Sequence, residues 1–357
     1  MAFNHRTGFC KKAIGDIIAY TDDDCQPDRD WLFWLSREFD DPDVGAAGGP
    51  NIPPEPESLQ EAIVAAGPGA PSHVLLTDTR AEHLPGCNIA IRAELLERIH
   101  GFRAQFHAAG DDVDLCWRIT EAGWELAFAP CAFVWHRRRA TFLRYLRQQA
   151  GYGEAEALLY ESHPERFAPE GIRWHGSIYG GGSLSVDPQA TVHYGPGGSA
   201  PYQMVTSSVM PRRLLHRKFR SWGGRMLLRA ADFLQPLIRS WVRARHGGLR
   251  PSRMWSETRE VFTPDTRHCS EATYSGEEWG GRTRLLEILE RIGWERCAGD
   301  SLWDLQHHSL KILTATEAYD HRYYVVRVRL LHPPGVRERA WPEIKEAALA
   351  AGLETIS

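Results

Sequence analysis

The chain has 357 residues, with 42 Lys and Arg against 46 Asp and Glu and a net charge of −4. That is material for two or three modest domains, and neither the charge nor any recognition motif suits a nucleic-acid binder. Its seven cysteines show no CxxC spacing or compact framework, which points to a reducing, cytoplasmic compartment with thiols used as small apolar residues. There is no signal-peptide core and no run near the ~20 apolar residues of a membrane span, so any meeting with a membrane is expected to be peripheral, at its inner face.

In chain order, residues 13–21 are expected to form a buried strand that ends in Asp22-Asp23-Asp24. Pro27-Asp28 then opens a helix through Trp31, Leu32, Leu35 and Phe39. Val44 to Gly49 is a second short strand, and the Pro- and Ala-rich residues 50–82 are expected as a partly irregular excursion. Leu84 to Arg92 predicts a strand leading into a helix from Ala93 to Ile99, closed by Gly101. Asp111 is expected to cap a helix through Ala122 that Gly123 ends, with Asp114 and Arg118 one turn apart and able to pair. Leu126 to Trp135 is taken as one strand and Thr141 to Tyr160 as a helix. This alternation predicts an α/β class with an open sheet and flanking helices.

Residues 164–208, rich in Gly, Pro and Ser, are expected as a linker or extended arm. A basic helical stretch follows over 211–246, weakened at Gly223-Gly224 and kinked or broken at Pro236. Between Arg212 and Arg250 lie ten arginines and one lysine against one acid, Asp232. With its Leu, Phe and Trp residues the stretch suits either a core-packing helix with a solvated basic face or an interfacial helix on an anionic membrane. The C-terminal part predicts helix Thr283–Ile292, strands Ser309–Thr316 and Tyr323–Leu331, and helix Pro342–Ala351, a small α+β unit. The expected division is 1–167, 168–210, 211–250 and 281–357.

Two acidic clusters carry the chemistry. Asp22-Asp23-Asp24 follows a strand; such a run is often a solvated turn, but ligand sites of open α/β sheets lie at carboxyl ends of strands. Hard oxygen ligands there suit Mg²⁺ or Mn²⁺ bridging a diphosphate. Asp112, beside the capping Asp111, is placed at a helix start where a carboxylate can act as general base. His136 ends the run Phe133-Val134-Trp135 and precedes Arg137-Arg138-Arg139, a fair third metal ligand with cationic neighbours for a diphosphate. Gln148 and Gln149 follow on a helix that could equally show a wet face.

The order of these motifs resembles the family 2 glycosyltransferases, inverting enzymes of the GT-A fold, from about Asn4 to Phe167. Gly15 to Asp24 is similar to the family's strand and DxD motif. Leu84-Pro85-Gly86-Cys87-Asn88-Ile89-Ala90 resembles the strand and loop beside the acceptor, and Gly110 to Leu115 the Glu-Asp motif with Asp in place of Glu. The resemblance implies metal and diphosphate contacts at Asp22 and Asp24, with Asp23 beside them, and His136 as a metal ligand. It implies Asp112 as the base, and Arg137, Arg138, Gln148 and Gln149 as donor contacts. It implies a nucleotide-diphosphate sugar as donor, Mg²⁺ or Mn²⁺ as cofactor, and a saccharide or lipid-linked acceptor.

Asn4-His5-Arg6-Thr7-Gly8 resembles the loop just upstream of the DxD strand, and Met1 lies 21 residues before Asp22. The family pattern is thus entered mid-domain, a partial GT-A-like sheet lacking its nucleotide-binding strands. The expectation is an enzyme incomplete at that end, with a partner chain supplying the missing half-sheet as a second possibility. The alternative is a non-catalytic remnant or assembly protein built on half a glycosyltransferase domain.

Overall fold

The computed structural model describes residues 14–181 apart from 55, 70–72, 78, 108, 130, 169–170 and 176. It describes 191–247 apart from 196–197, 202 and 206–214, and 269–356 apart from 278–279, 298–303, 319–323 and 334–336. The expected loop Asn4–Gly8 and much of the Gly/Pro/Ser-rich stretch lie outside the described residues.

The N-terminal elements are β1 (Ile17–Thr21), β2 (Cys25–Pro27), α1 (Trp31–Arg37), β3 (Val44–Gly48), β4 (Asn51–Ile52), α2 (Leu59–Ala66), β5 (His73–Leu75), β6 (Arg80–His83) and β7 (Asn88–Arg92). They continue with α3 (Ala93–Arg98), α4 (Asp111–Glu121), β8 (Glu125–Phe128), β9 (Val134–His136) and α5 (Phe142–Ser162). The sheet order is β1-β7-β3-β8-β6-β5, antiparallel except for the parallel β3·β8 pair. Among the described residues β1 has a sheet neighbour on one side only, β7.

Alternation along the strands builds a core on each face of the sheet. Ile89 and Ile91 of β7 and Leu126 and Phe128 of β8 pack with Leu95, Leu115 and Ile119. Ala90 and Ala127 point to the opposite face, with Trp31, Leu35, Phe39 and Val134. This is an α/β domain with an open mixed sheet flanked by helices.

Residues 50–82 are more ordered than expected, since α2, β5 and β6 fall there. The apolar run from Leu126 to Trp135 is also two strands, not one. Leu126 pairs with Ala46 in the main sheet, whereas Val134 pairs with Pro27 in a small sheet of order β2-β9-β4.

Helix α6 spans Trp222–Arg245, starting later than the expected 211 and passing through Pro236 without a break. Its buried side packs on α5, where Arg239 and Arg243 both meet the buried Glu156. Strands Ser177–Gly181 and Gln203–Val205 continue the main sheet from β5 to strand Leu310–Ala318. Strands Tyr324–Leu331 and Cys269–Gly276 follow in antiparallel order. Helices α7 (Gly281–Arg291) and α8 (Arg337–Ala350) share their core, through Leu285, Leu289, Ile344 and Ala348.

Candidate active site

Two loops at the carboxyl end of β1 meet here. Thr21 of β1 pairs with Asn88 at the start of β7, so the Asp22–Asp24 turn and the Pro85-Gly86-Cys87 loop lie at the same end of the sheet. The turn is closed by Cys25 N donating to Asp22 O at 3.1 Å. Asn88, fully buried, fixes the second loop. Its amide donates to Pro50 O at 3.1 Å and Ala132 O at 2.8 Å, and its Oδ1 accepts from Trp31 Nε1 at 2.7 Å.

Asp24, half-buried like Asp22, is the member of the acidic run that faces His136. Its Oδ1 stands 3.4 Å from His136 Nε2, and its Oδ2 accepts from Arg139 Nη1 at 3.4 Å. The hydrogen bond from His136 holds the Asp24 carboxyl below its ordinary range against the opposing effect of burial, with the charges of His136 and Arg139 adding to it. Burial disfavours the charged ring of His136, but the nearby Asp24 and Cys87 outweigh that and lift it to about 9. His136 reaches this place because β9 pairs with β2 immediately after Asp24.

A shallow pocket is lined by Asp24, His136, Arg138, Arg139, Tyr145 and Gln148, with Val64, Pro68 and Gly69 as its floor. It gathers five residues of the sequence motifs. Arg137 turns away, its Nη2 meeting Glu57 at 3.0 Å on the surface. Gln149 lies inside, its amide donating to Gly69 O at 3.2 Å and its Oε1 accepting from Gln235 at 3.0 Å. Asp23 is exposed beside Asp24 and Asp22 is half-buried.

Asp112 stands on the other side of the Pro85–Cys87 loop. Its Oδ2 accepts from Gly86 N at 3.0 Å and lies 3.8 Å from His83 Nε2. The cap of α4 is Gly110, at φ +82°, a conformation glycine adopts without strain. Asp111 is therefore the first helical residue rather than the cap. The glycine start sets Asp112 in the first turn, where the helix dipole favours its charge. Asp114, one turn on, is fully buried and takes no part in the pocket. It holds Arg103 at 2.9 Å, Arg118 at 2.8 Å and His163 at 2.9 Å.

Tyr152 lies within electrostatic reach of Asp112. Burial pushes its hydroxyl up to about 12, with the Asp112 charge adding and Arg239, Arg138 and Arg139 opposing. His83 and the Cys25 thiol belong to this region without a motif of their own, brought in by strand pairing, and the Cys87 thiol joins them from the loop before β7. The arrangement offers a cationic pocket with one anchored carboxylate, and across a single loop a second carboxylate at a helix start.

Residues 3–151 match the family model described as "Glycosyltransferase like family 2". Pre-mycofactocin glycosyltransferases of Mycobacterium tuberculosis, strains CDC 1551 / Oshkosh and ATCC 25618 / H37Rv, are each 32% identical over 162 residues, covering 43% of this chain and 34% of theirs. The chain thus spans about a third of the length of these curated relatives. Among solved structures, the mannosyltransferase PcManGT from Pyrobaculum calidifontis, in complex with GDP-Man and Mn²⁺, aligns at 20% identity with a TM-score of 0.33. That alignment covers 47% of this chain and 45% of that one. The family match spans both acidic motifs, so it is residues 3–151, under half of the chain, that are similar to a glycosyltransferase family 2 domain.

Proposed function

We propose that the domain transfers a sugar from a nucleotide-diphosphate donor to an acceptor hydroxyl with inversion at the anomeric carbon. The observation that carries this reading is the pocket joining Asp24, His136, Arg138, Arg139 and Gln148, one loop away from Asp112. Arg138, Arg139 and Gln148 face the donor diphosphate, where guanidinium groups suit phosphate oxygens. Gln149 and Arg137 are given no donor contact, because neither lines this pocket.

Asp22 and Asp24 with His136 would hold a divalent cation, Mg²⁺ or Mn²⁺. Carboxylate oxygens suit such hard ions, and His136 Nε2 lies 3.4 Å from Asp24 Oδ1, so that the two could reach one ion. Such an ion, when bound, supplies positive charge next to the leaving diphosphate. Asp112 accepts the acceptor hydroxyl proton as that oxygen bonds to the anomeric carbon from the face opposite the diphosphate. The bond from carbon to phosphate oxygen breaks with its electron pair on the nucleoside diphosphate. Gly86 N–H keeps one Asp112 oxygen aimed from the loop.

The test is release of nucleoside diphosphate from a panel of UDP-, GDP- and dTDP-sugars with Mn²⁺ and simple saccharide acceptors. Asp112→Asn is expected to lower turnover by about 10²–10⁴-fold while the variant still binds Mn²⁺. Turnover at the wild-type rate in that variant removes Asp112 as the base.

No helix among the described residues is long and apolar enough to cross a membrane. Helix α6 leaves Trp222, Phe233 and Trp241 exposed, together with Arg225, Arg229 and Arg245. This supports a seat for α6 on an anionic lipid surface, where lipid-linked acceptors reside. Flotation with phosphatidylglycerol vesicles at modest salt tests it, and protein that stays at the bottom of the gradient removes the lipid seat.

A further inference from the structure

We propose that Cys25, Cys87 and His136 form a binding site for a thiophilic divalent cation of the Zn²⁺ class, different in ligand type from the hard-cation site assigned to Asp22 and Asp24. One ligand atom from each of the three lies within 4.8 Å of the other two. Cys25 and His136 are directly opposed residues of the antiparallel β2·β9 pair, so their side chains leave the ribbon on the same face. Cys87 comes from the loop pinned by Asn88. Each position is therefore set by strand pairing or by a buried neighbour.

Two features point to a cation rather than to core filling. His136 is buried and its Nδ1 has no hydrogen-bond partner among the described residues, a costly state for a ring nitrogen away from water. Cys87 Sγ is buried and accepts from Asn51 Nδ2 at 3.5 Å. A donor in that position stabilises charge on sulfur, as outer partners do at thiolate sites. Apolar packing explains one buried thiol but not two thiols and an orphaned imidazole nitrogen converging at one point. Asp24 Oδ1, 3.9 Å from Cys25 Sγ and 3.4 Å from His136 Nε2, is a fourth donor within reach.

Tetrahedral Zn²⁺, with sulfur at about 2.3 Å and nitrogen at about 2.0–2.1 Å, sets ligand atoms roughly 3.5–3.8 Å apart. The cluster would then close by at most about 1 Å on loading. Sulfur and imidazole donors select Zn²⁺ over Mg²⁺ or Mn²⁺, and binding releases the thiol protons to solvent. Asp24 and His136 belong to both sets, so the two cations compete, a consequence that rests on the donor site proposed above. The other grouping of ligating side chains among the described residues, Glu121, His163 and Glu165, makes no such case. Both carboxylates there are exposed and His163 Nε2 is taken by Asp114 at 2.9 Å.

The experiment is a Co²⁺ titration of the full chain, stripped of metal and kept reduced with a phosphine. One equivalent should give tetrahedral d–d bands and a thiolate-to-cobalt charge-transfer band, both displaced by Zn²⁺. Cys25→Ser and Cys87→Ser should each lose the charge-transfer intensity, while Cys131→Ser and Asp22→Ala keep it. An octahedral spectrum without charge transfer, or a band surviving in the Cys25→Ser/Cys87→Ser double variant, overturns the site. Should the serine variants fail to fold, alkylation of the wild-type chain decides: Zn²⁺ should protect the half-exposed Cys25 from a maleimide, and equal labelling of Cys25 with and without Zn²⁺ overturns the proposal. Loss of the band in Asp22→Ala would assign cobalt to the hard-cation site and equally overturn it.

Discussion

Asp114 shows how position within one motif separates chemistry from structure. Two residues after the proposed base, its carboxylate is fully buried and shared by Arg103, Arg118 and His163. Arg118 is itself buried and also donates to Ile99 O at 2.7 Å and Gly101 O at 2.8 Å, tying α4 to the end of α3. Removing the carboxylate leaves a buried guanidinium short of its counter-charge, and Asp114→Ala should cost about 3–5 kcal/mol in urea unfolding. Asp112→Asn should leave the same unfolding curve within about 0.5 kcal/mol, as surface changes do. A second residue sets an acid limit. His73 is held neutral, its pKa brought down to about 3 by burial, against the pull of its bond to Gly49 and with the His83 charge adding. Between that value and the ordinary 6.5 the unfolded chain binds a proton that the folded chain does not. The stability that His73 contributes is therefore complete above pH 6.5 and lost as pH falls toward 3. The urea midpoint should fall over that interval, and less steeply in His73→Gln.

At the scale of elements, the contact between α5 and α6 depends on one residue without a side chain. A Cβ at Gly153 would meet Arg239 O at 2.4 Å and Val242 Cβ at 3.1 Å. Gly153→Ala should cost about 1–3 kcal/mol by overpacking. Gly223→Ala, where nothing lies within 4 Å, should leave the melting temperature unchanged or slightly raised. Differential scanning calorimetry of both variants checks the pair. The long periodic elements were legible in the sequence: α5 and α7 fall within a few residues of expectation, Phe142–Ser162 against Thr141–Tyr160 and Gly281–Arg291 against Thr283–Ile292. Strands β5 and β6 were not, because three or four residues hold too little period to stand out from a Pro- and Ala-rich stretch. The division of Leu126–Trp135 into two strands was hidden for another reason. Its apolar character is continuous, and only pairing with β3 and with β2 separates its ends. The helix of the basic segment was foreseen, but not that Arg239 and Arg243 turn inward to Glu156.

Across the whole molecule, the candidate site is assembled from segments far apart in sequence, and that decides which parts of it could be read in advance. Asp24, His136, Arg138 and Gln148 follow one another in family order, and the structure gathers them in one pocket. The thiols of Cys25 and Cys87 meet His136 only through the β2·β9 ribbon and the loop before β7, so spacing along the chain gave no sign of them. In the proposed reaction the donor cation would rest on Asp22, Asp24 and His136 and the proton transfer on Asp112, so the two functions are separable by substitution. The most direct measurement is a thermal-shift titration of the full chain with Mn²⁺ and UDP, GDP or dTDP, run in parallel on Asp24→Ala and Asp112→Asn. The account predicts a metal-dependent rise with one nucleotide, kept in Asp112→Asn and lost in Asp24→Ala. A rise that survives in Asp24→Ala, or no rise in a cooperatively melting wild-type chain, would contradict it.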